Sequence, residues 1–261
     1  MTRTIDLVAD VGEAFGPYSL GDDEHLLDLL TSANVACGFH AGDPQIMTKT
    51  VAACRTRGVA VGAHPGFNDL RGFGRRAIAM STDEVRTDVL YQLGALQGIA
   101  QAQAVELSHV TPHGSLGNLS VTDEGYARGV AEAVAAFDPN LPIVTQEGQL
   151  SKLARSEGLR VAITAMAVRS YNPDGSLVSR KIKGAVIHDE DVVVERAVRM
   201  VTDGTVVAHD GSLMEIDVDT VLLHGDNAEA VEAAGRIRDA LSAAGVGFAS
   251  LATVLSEKNS V

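Results

Sequence analysis

The chain has no tryptophan, only two cysteines and an aromatic content of 4%. Two cysteines, Cys37 and Cys54, make no disulfide framework, which leads us to expect a reducing, cytoplasmic setting. Cys37 sits in an apolar run and reads as a small core residue. No stretch approaches 18 uninterrupted apolar residues, so a membrane span is not expected. The opening "MTRTIDLVAD" lacks the apolar run of a signal peptide and reads as a first strand. Basic residues are also scarce, 21 Lys and Arg against 34 Asp and Glu, for a net charge of −13. That surface repels phosphate backbones and argues against nucleic acid as a partner. No Gly-Lys-Ser/Thr loop opens a helix, and no G-x-S-x-G elbow is present. A Walker-type phosphate loop and a serine hydrolase are therefore excluded.

What is present is a hydrophobic content of 46% over 261 residues, enough for a sizeable core. Short apolar runs at 4–10, 33–37, 59–63, 107–110, 142–145, 160–164 and 220–224 read as strands covered on both faces. Helical patterns lie between them. "DDEHLLDLLTS" begins with acids that suit a helix dipole. Asp43 caps a helix with Pro44 at its first position and Gly58 as its stop, and Ser81 with Glu84 forms a capping-box pattern. The βα alternation predicts a parallel sheet, open or closed. "TVVAHDGSLMEI" (205–216) reads as a hairpin, residues 171–187 as a long irregular connection, and residues 256–261 as a tail after a single domain spanning 1–255.

The chemistry-bearing residues gather at strand ends, where α/β proteins place their ligands. Asp10 and Glu13 follow the first strand, and His40, His64, His113 and His224 follow four others. Arg169 and Tyr171 follow the sixth. Parallel strands would bring these groups to one face, where imidazoles ligate a metal or shuttle a proton. A lone histidine at a strand end is usually a satisfied hydrogen-bonding residue, but the recurrence favours a site. His109 lies within a strand and is expected to face the packing. In "HPGFNDLRGFGRR", Arg71, Arg75 and Arg76 are candidates either for an anionic ligand or for ordinary ion pairs.

Several strings together, among them "VACGFHAGDP", "GVAVGAHPGFNDLRGFGRR", "TPHGSLGN" and "LLHGDNAEAV", resemble the LamB/YcsF family, to which the A subunits of bacterial 5-oxoprolinases belong. The resemblance runs from about residue 4 to about residue 250. It implies a distorted, seven-stranded (β/α) barrel similar to the glycoside hydrolase and deacetylase barrels. It implies ATP-dependent opening of 5-oxo-L-proline to L-glutamate with partner subunits B and C. On that basis Asp10, Glu13 and His113 are the expected catalytic groups, with His113 as the acid. His40, His64, Arg75, Asn118, Arg169, Tyr171 and His224 are expected around the substrate. A divalent metal on Asp10, His40 and His64 is an open alternative, and so is a homo-oligomer. The sequence departs from the family pattern at Val8, Thr111, Gly117 and Val168, where Asn, Lys, Tyr and Asp are usual. Two other readings stand beside this one: a metal-dependent amidohydrolase or deacetylase acting alone, and a divergent binding subunit without catalysis.

Overall fold

A computed structural model describes residues 3–18, 20–224 and 228–258. The strands are β1 (Thr4–Val11), β2 (Ser32–Ala36), β3 (Ala60–His64), β4 (Leu107–Val110), β5 (Ile143–Thr145), β6 (Val161–Ala165), β7 (Thr205–Val207), β8 (Leu213–Glu215), β9 (Thr220–Leu223) and β10 (Gly247–Phe248). The helices are α1 (Asp23–Leu27), α2 (Pro44–Arg57), α3 (Thr82–Ala102), α4 (Gly114–Thr122), α5 (Glu124–Phe137), α6 (Gln149–Ser156), α7 (Glu190–Thr202), α8 (Ala228–Ala243) and α9 (Leu251–Lys258). Seven parallel strands, β1 to β6 and β9, pair in sequence and close through β1–β9 into a barrel. β10 adds outside β1, and β7–β8 form a separate antiparallel hairpin, as the Asp210–Gly211 turn suggests.

The helix boundaries follow their caps. Asp43 Oδ1 accepts from the Gln45 and Ile46 amides, and Ser81 with Glu84 completes a capping box on α3. α1 stops short of the segment predicted for it. The Thr31 amide donates to the Leu7 carbonyl, so the chain must already be joining the sheet there. At the C-terminus, α9 runs through Ser256, Glu257 and Lys258, which the sequence pattern assigns to a tail. Lys258 Nζ lies 2.8 Å from both Asp217 and Asp219 and pins that helix. Residues 259–261 lie outside the described residues. Among the described residues no helix is long and apolar enough to cross a membrane.

Inward-facing residues of the strands alternate, so Asp6, Val8 and Asp10 stand at successive depths of the barrel interior. At the deepest level, Asp6 is fully buried and accepts hydroxyls from Thr31, Ser32 and Thr220 at 2.6–2.7 Å. Burial pushes its pKa up to about 6, against the opposing effect of those hydroxyls. A raised carboxyl pKa favours the folded state below about pH 4, and that contribution is lost as pH rises through 6. Asp6→Asn should therefore remove a stability loss of about 3 kcal/mol between those limits. The check is the difference between wild-type and variant urea midpoints at pH 4 and pH 7. A pH-independent difference would refute the assignment.

Candidate active site

The carboxyl ends of β1, β3 and β4 deliver Asp10, His64 and His113 to one place, with Glu13 and His40 from the β1 and β2 loops. One ligand atom each from Glu13, His40, His64 and His113 lies within 4.8 Å of the others. His40 and His113 stack ring on ring, with centroids 3.7 Å apart and planes 6° from parallel. Gly74 allows this packing. Its φ is +61°, and a Cβ there would sit 2.8 Å from both His113 Cδ2 and His40 Cβ.

Hydrogen-bond bookkeeping locates one proton. His64 Nδ1 lies 2.7 Å from the Thr111 carbonyl, and His113 Nε2 lies 2.8 Å from the Phe73 carbonyl. Carbonyls only accept, so both of these nitrogens carry hydrogen. His64 Nε2 and His113 Nδ1 then face each other at 2.9 Å with a lone pair each unless a proton or cation lies between them. Burial lowers the His64 pKa, but the Asp10 charge and hydrogen bond outweigh it and hold His64 above its ordinary value. Burial and the charge on His64 push His113 down to about 3. His40 is driven well below its usual value by burial and by its two imidazole neighbours. Burial would raise the Asp10 pKa, yet the facing His64 charge holds it well below the carboxylate range. The proton thus rests on His64, whose Nε2 also lies 3.3 Å from Asp10 Oδ1. The sequence pattern points to His113 as the acid, but both of its ring nitrogens are engaged here.

Asp10 is held from behind by Asn34, whose Nδ2 donates to Oδ1 at 2.9 Å. Asn34 Oδ1 in turn faces His109 Nε2 at 2.8 Å and Thr111 Oγ1 at 2.9 Å. His109 is therefore packed inside the barrel yet linked to the site. Neither Asn34 nor the Phe73 carbonyl stands out in the sequence. The apolar strand pattern gives no sign of an inward amide, and a backbone acceptor has no residue signature.

Two connected cavities open from this cluster. The outer one, about 150 Å³, is lined by Asp10, Glu13, Arg75, His113, Asn118, Arg169, Arg180 and His224, and by the N-terminal turn of α4. An inner one, about 70 Å³, reaches into the barrel beside Asp10, Asn34 and His64. Arg75 lies 5.0 Å over the Phe73 ring, while Arg76 pairs with Asp69 and is a structural cation. Arg169 is buried and donates to the Ala185 and Val178 carbonyls, so it also fastens the 171–187 connection. His40 is fully buried behind His113. Tyr171 turns away: its hydroxyl accepts the Met166 amide and its side chain borders a different groove. That groove is larger, about 610 Å³, but five carboxylates line it with Arg3 as the lone cation, which suits an anionic substrate poorly.

A model of the LamB/YcsF family matches residues 5–256. The chain belongs to the LamB/YcsF family. This LamB/YcsF chain is 50% identical over 252 residues to the 5-oxoprolinase A-chain component of Natranaerobius thermophilus, covering 96% of this chain and 98% of that one. A crystal structure of a lactam utilization protein from Thermus thermophilus superposes with a TM-score of 0.90 at 44% identity, covering 95% of this chain and 99% of that one. A T48 deacetylase solved with substrate shares the barrel alone, with a TM-score of 0.51 at 16% identity over 98% of this chain and 92% of that one. The expected seven-stranded barrel of the deacetylase type is thus the observed fold of this LamB/YcsF member.

The donor set suits a divalent cation. His64 Nε2 and His113 Nδ1 present converging lone pairs, Glu13 Oε1 lies 3.6 Å from the latter, and His40 Nε2 lies 3.3 Å from Glu13. Of the ligands suggested by the sequence, His40 and His64 belong to this set and Asp10 flanks it. Zinc is expected to raise the melting temperature of the chain and to release a proton, and His64→Ala should abolish both effects. Calorimetry in two buffers of different ionisation heat checks this. An unchanged melting temperature at millimolar zinc would speak against the site.

Proposed function

We propose that this chain is the ring-opening component of a 5-oxoprolinase, hydrolysing the lactam of 5-oxo-L-proline to L-glutamate with partner subunits B and C. One observation carries the reading: a carboxylate–imidazolium pair, Asp10 with His64, sits at the floor of a cavity whose rim bears Arg75 and Arg169. The names of the relatives support the substrate class.

A five-membered lactam resists water because its nitrogen lone pair is delocalised into the carbonyl. The partners would spend ATP to activate that carbonyl before or during its residence here. The substrate carboxylate is an anion, and Arg75, Arg169 and the positive end of α4 can receive it. That leaves the ring carbonyl directed at the cluster. Asp10, ionised, takes a proton from water as the water oxygen bonds to the ring carbon. The ring C–N bond then breaks, and the proton held by the His64–His113 pair passes to the departing nitrogen. Asn34 keeps Asp10 aimed, and Glu13 sets the electrostatics of the pair from 3.6 Å. A divalent cation on His64, His113, Glu13 and His40 would polarise the carbonyl when bound.

The test is reassembly with subunits B and C, followed by ATP-dependent glutamate release. Release only when this chain is present supports the reading. The donor set favours a second reading, a metal-dependent amidohydrolase acting alone. It predicts ATP-independent turnover by the isolated chain that a chelator abolishes.

A further inference from the structure

The inner cavity extends past the reacting groups. Val8 stands two residues below Asp10 on β1, about 7 Å deeper at the rise of a strand. Val8 pairs in register with Leu222, and Thr164 pairs with Thr220 one step below Leu222. Val8, Leu222, Val144 and Met166 make the walls apolar. Among the polar groups there, Asn34 and Thr111 are bonded to each other. Thr164 Oγ1 differs. The residue is 2% exposed, it lines the cavity, and its hydroxyl has no hydrogen-bond partner among the described residues. A buried hydroxyl without a partner is costly, and a ligand that supplies one recovers that cost.

We propose that the inner cavity is a substituent subsite, which admits cyclic amides carrying a small uncharged hydroxyl on the ring edge and pairs that hydroxyl with Thr164 Oγ1. The inference rests on the lactam reading above and deepens it. With the carboxylate at the arginine rim and the carbonyl at Asp10, the ring methylenes point inward. A bare five-membered ring is too short to span the distance from Asp10 to Thr164, and a ring hydroxyl extends towards it. The apolar walls reject a charged substituent, because nothing there would pair with it.

The experiment is equilibrium binding by calorimetry on the full chain. The ligands are 5-oxo-L-proline, both diastereomers of its 4-hydroxy derivative, and a 4-methyl derivative of equal size. One hydroxylated diastereomer is expected to bind about tenfold tighter than the unsubstituted lactam. The methyl derivative should lose that advantage, Thr164→Val should erase it and Thr164→Ser should keep it. Equal binding of hydroxyl and methyl derivatives overturns the subsite without any variant, so the test survives if Thr164→Val does not fold. Binding of 5-oxo-L-proline without a hydroxyl preference overturns the subsite alone. Failure of every lactam to bind overturns the ring-opening reading as well.

Discussion

Asp10→Asn is expected to lower ATP-dependent glutamate release by the reassembled complex roughly 10²–10⁴-fold, the usual cost of losing a positioned acid or base. The substitution preserves shape, because an amide oxygen can still accept from Asn34 Nδ2, which now donates to Oδ1 at 2.9 Å. What disappears is the charge. That charge and its hydrogen bond are what hold His64 protonated against the pull of burial. The variant therefore loses its base and, at the same pH, the proton stored on the imidazole pair. Lowering the pH should restore the His64 proton but not the base, so activity stays low across the range. Activity within threefold of wild type would remove Asp10 from the mechanism.

Gly62→Ala is expected to destabilise the fold by about 1–3 kcal/mol, the range for overpacking a filled core, and to impair turnover as well. A Cβ at this position would lie 2.1 Å from His109 Nε2, closer than any contact the structure could accept unmoved. His109 is fully buried and its Nε2 sits 2.8 Å from Asn34 Oδ1. Displacing the ring therefore disturbs Asn34, and through Asn34 the carboxylate of Asp10. The β3–β4 ladder shifts register between Val61 and Ala63, where the two strands accommodate that ring. Urea unfolding measures the first effect and glutamate release the second. Adding His109→Ala to Gly62→Ala should recover stability by making room, without recovering activity. A Gly62→Ala protein as stable as wild type would show that the ring has space to move.

The strands were legible because apolar runs covered on both faces stand out, and each barrel strand lies within one residue of the run that predicted it. Cap chemistry made α2 and α3 equally plain. α4 was not legible: His113 provides no side-chain cap, and Gly114, Gly117 and Val121 weaken the helical pattern. The strand-end rule led to Asp10, His64 and His113, which the structure brings together. The same rule could not show that His40 would be buried behind His113, or that Tyr171 would turn into the packing. Both depend on where a loop returns after leaving the sheet. Asn34 and Thr164 look like ordinary strand residues until the barrel closes and turns their side chains into a common interior.

A crystal structure of the chain with 5-oxo-L-proline bound tests the central claim most directly. The expected result is the lactam in the outer cavity, with its carbonyl within hydrogen-bonding reach of the Asp10–His64–His113 cluster and its carboxylate beside Arg75 or Arg169. A lactam bound only in the acidic groove beside the β7–β8 hairpin, with the imidazole cluster untouched, would contradict it.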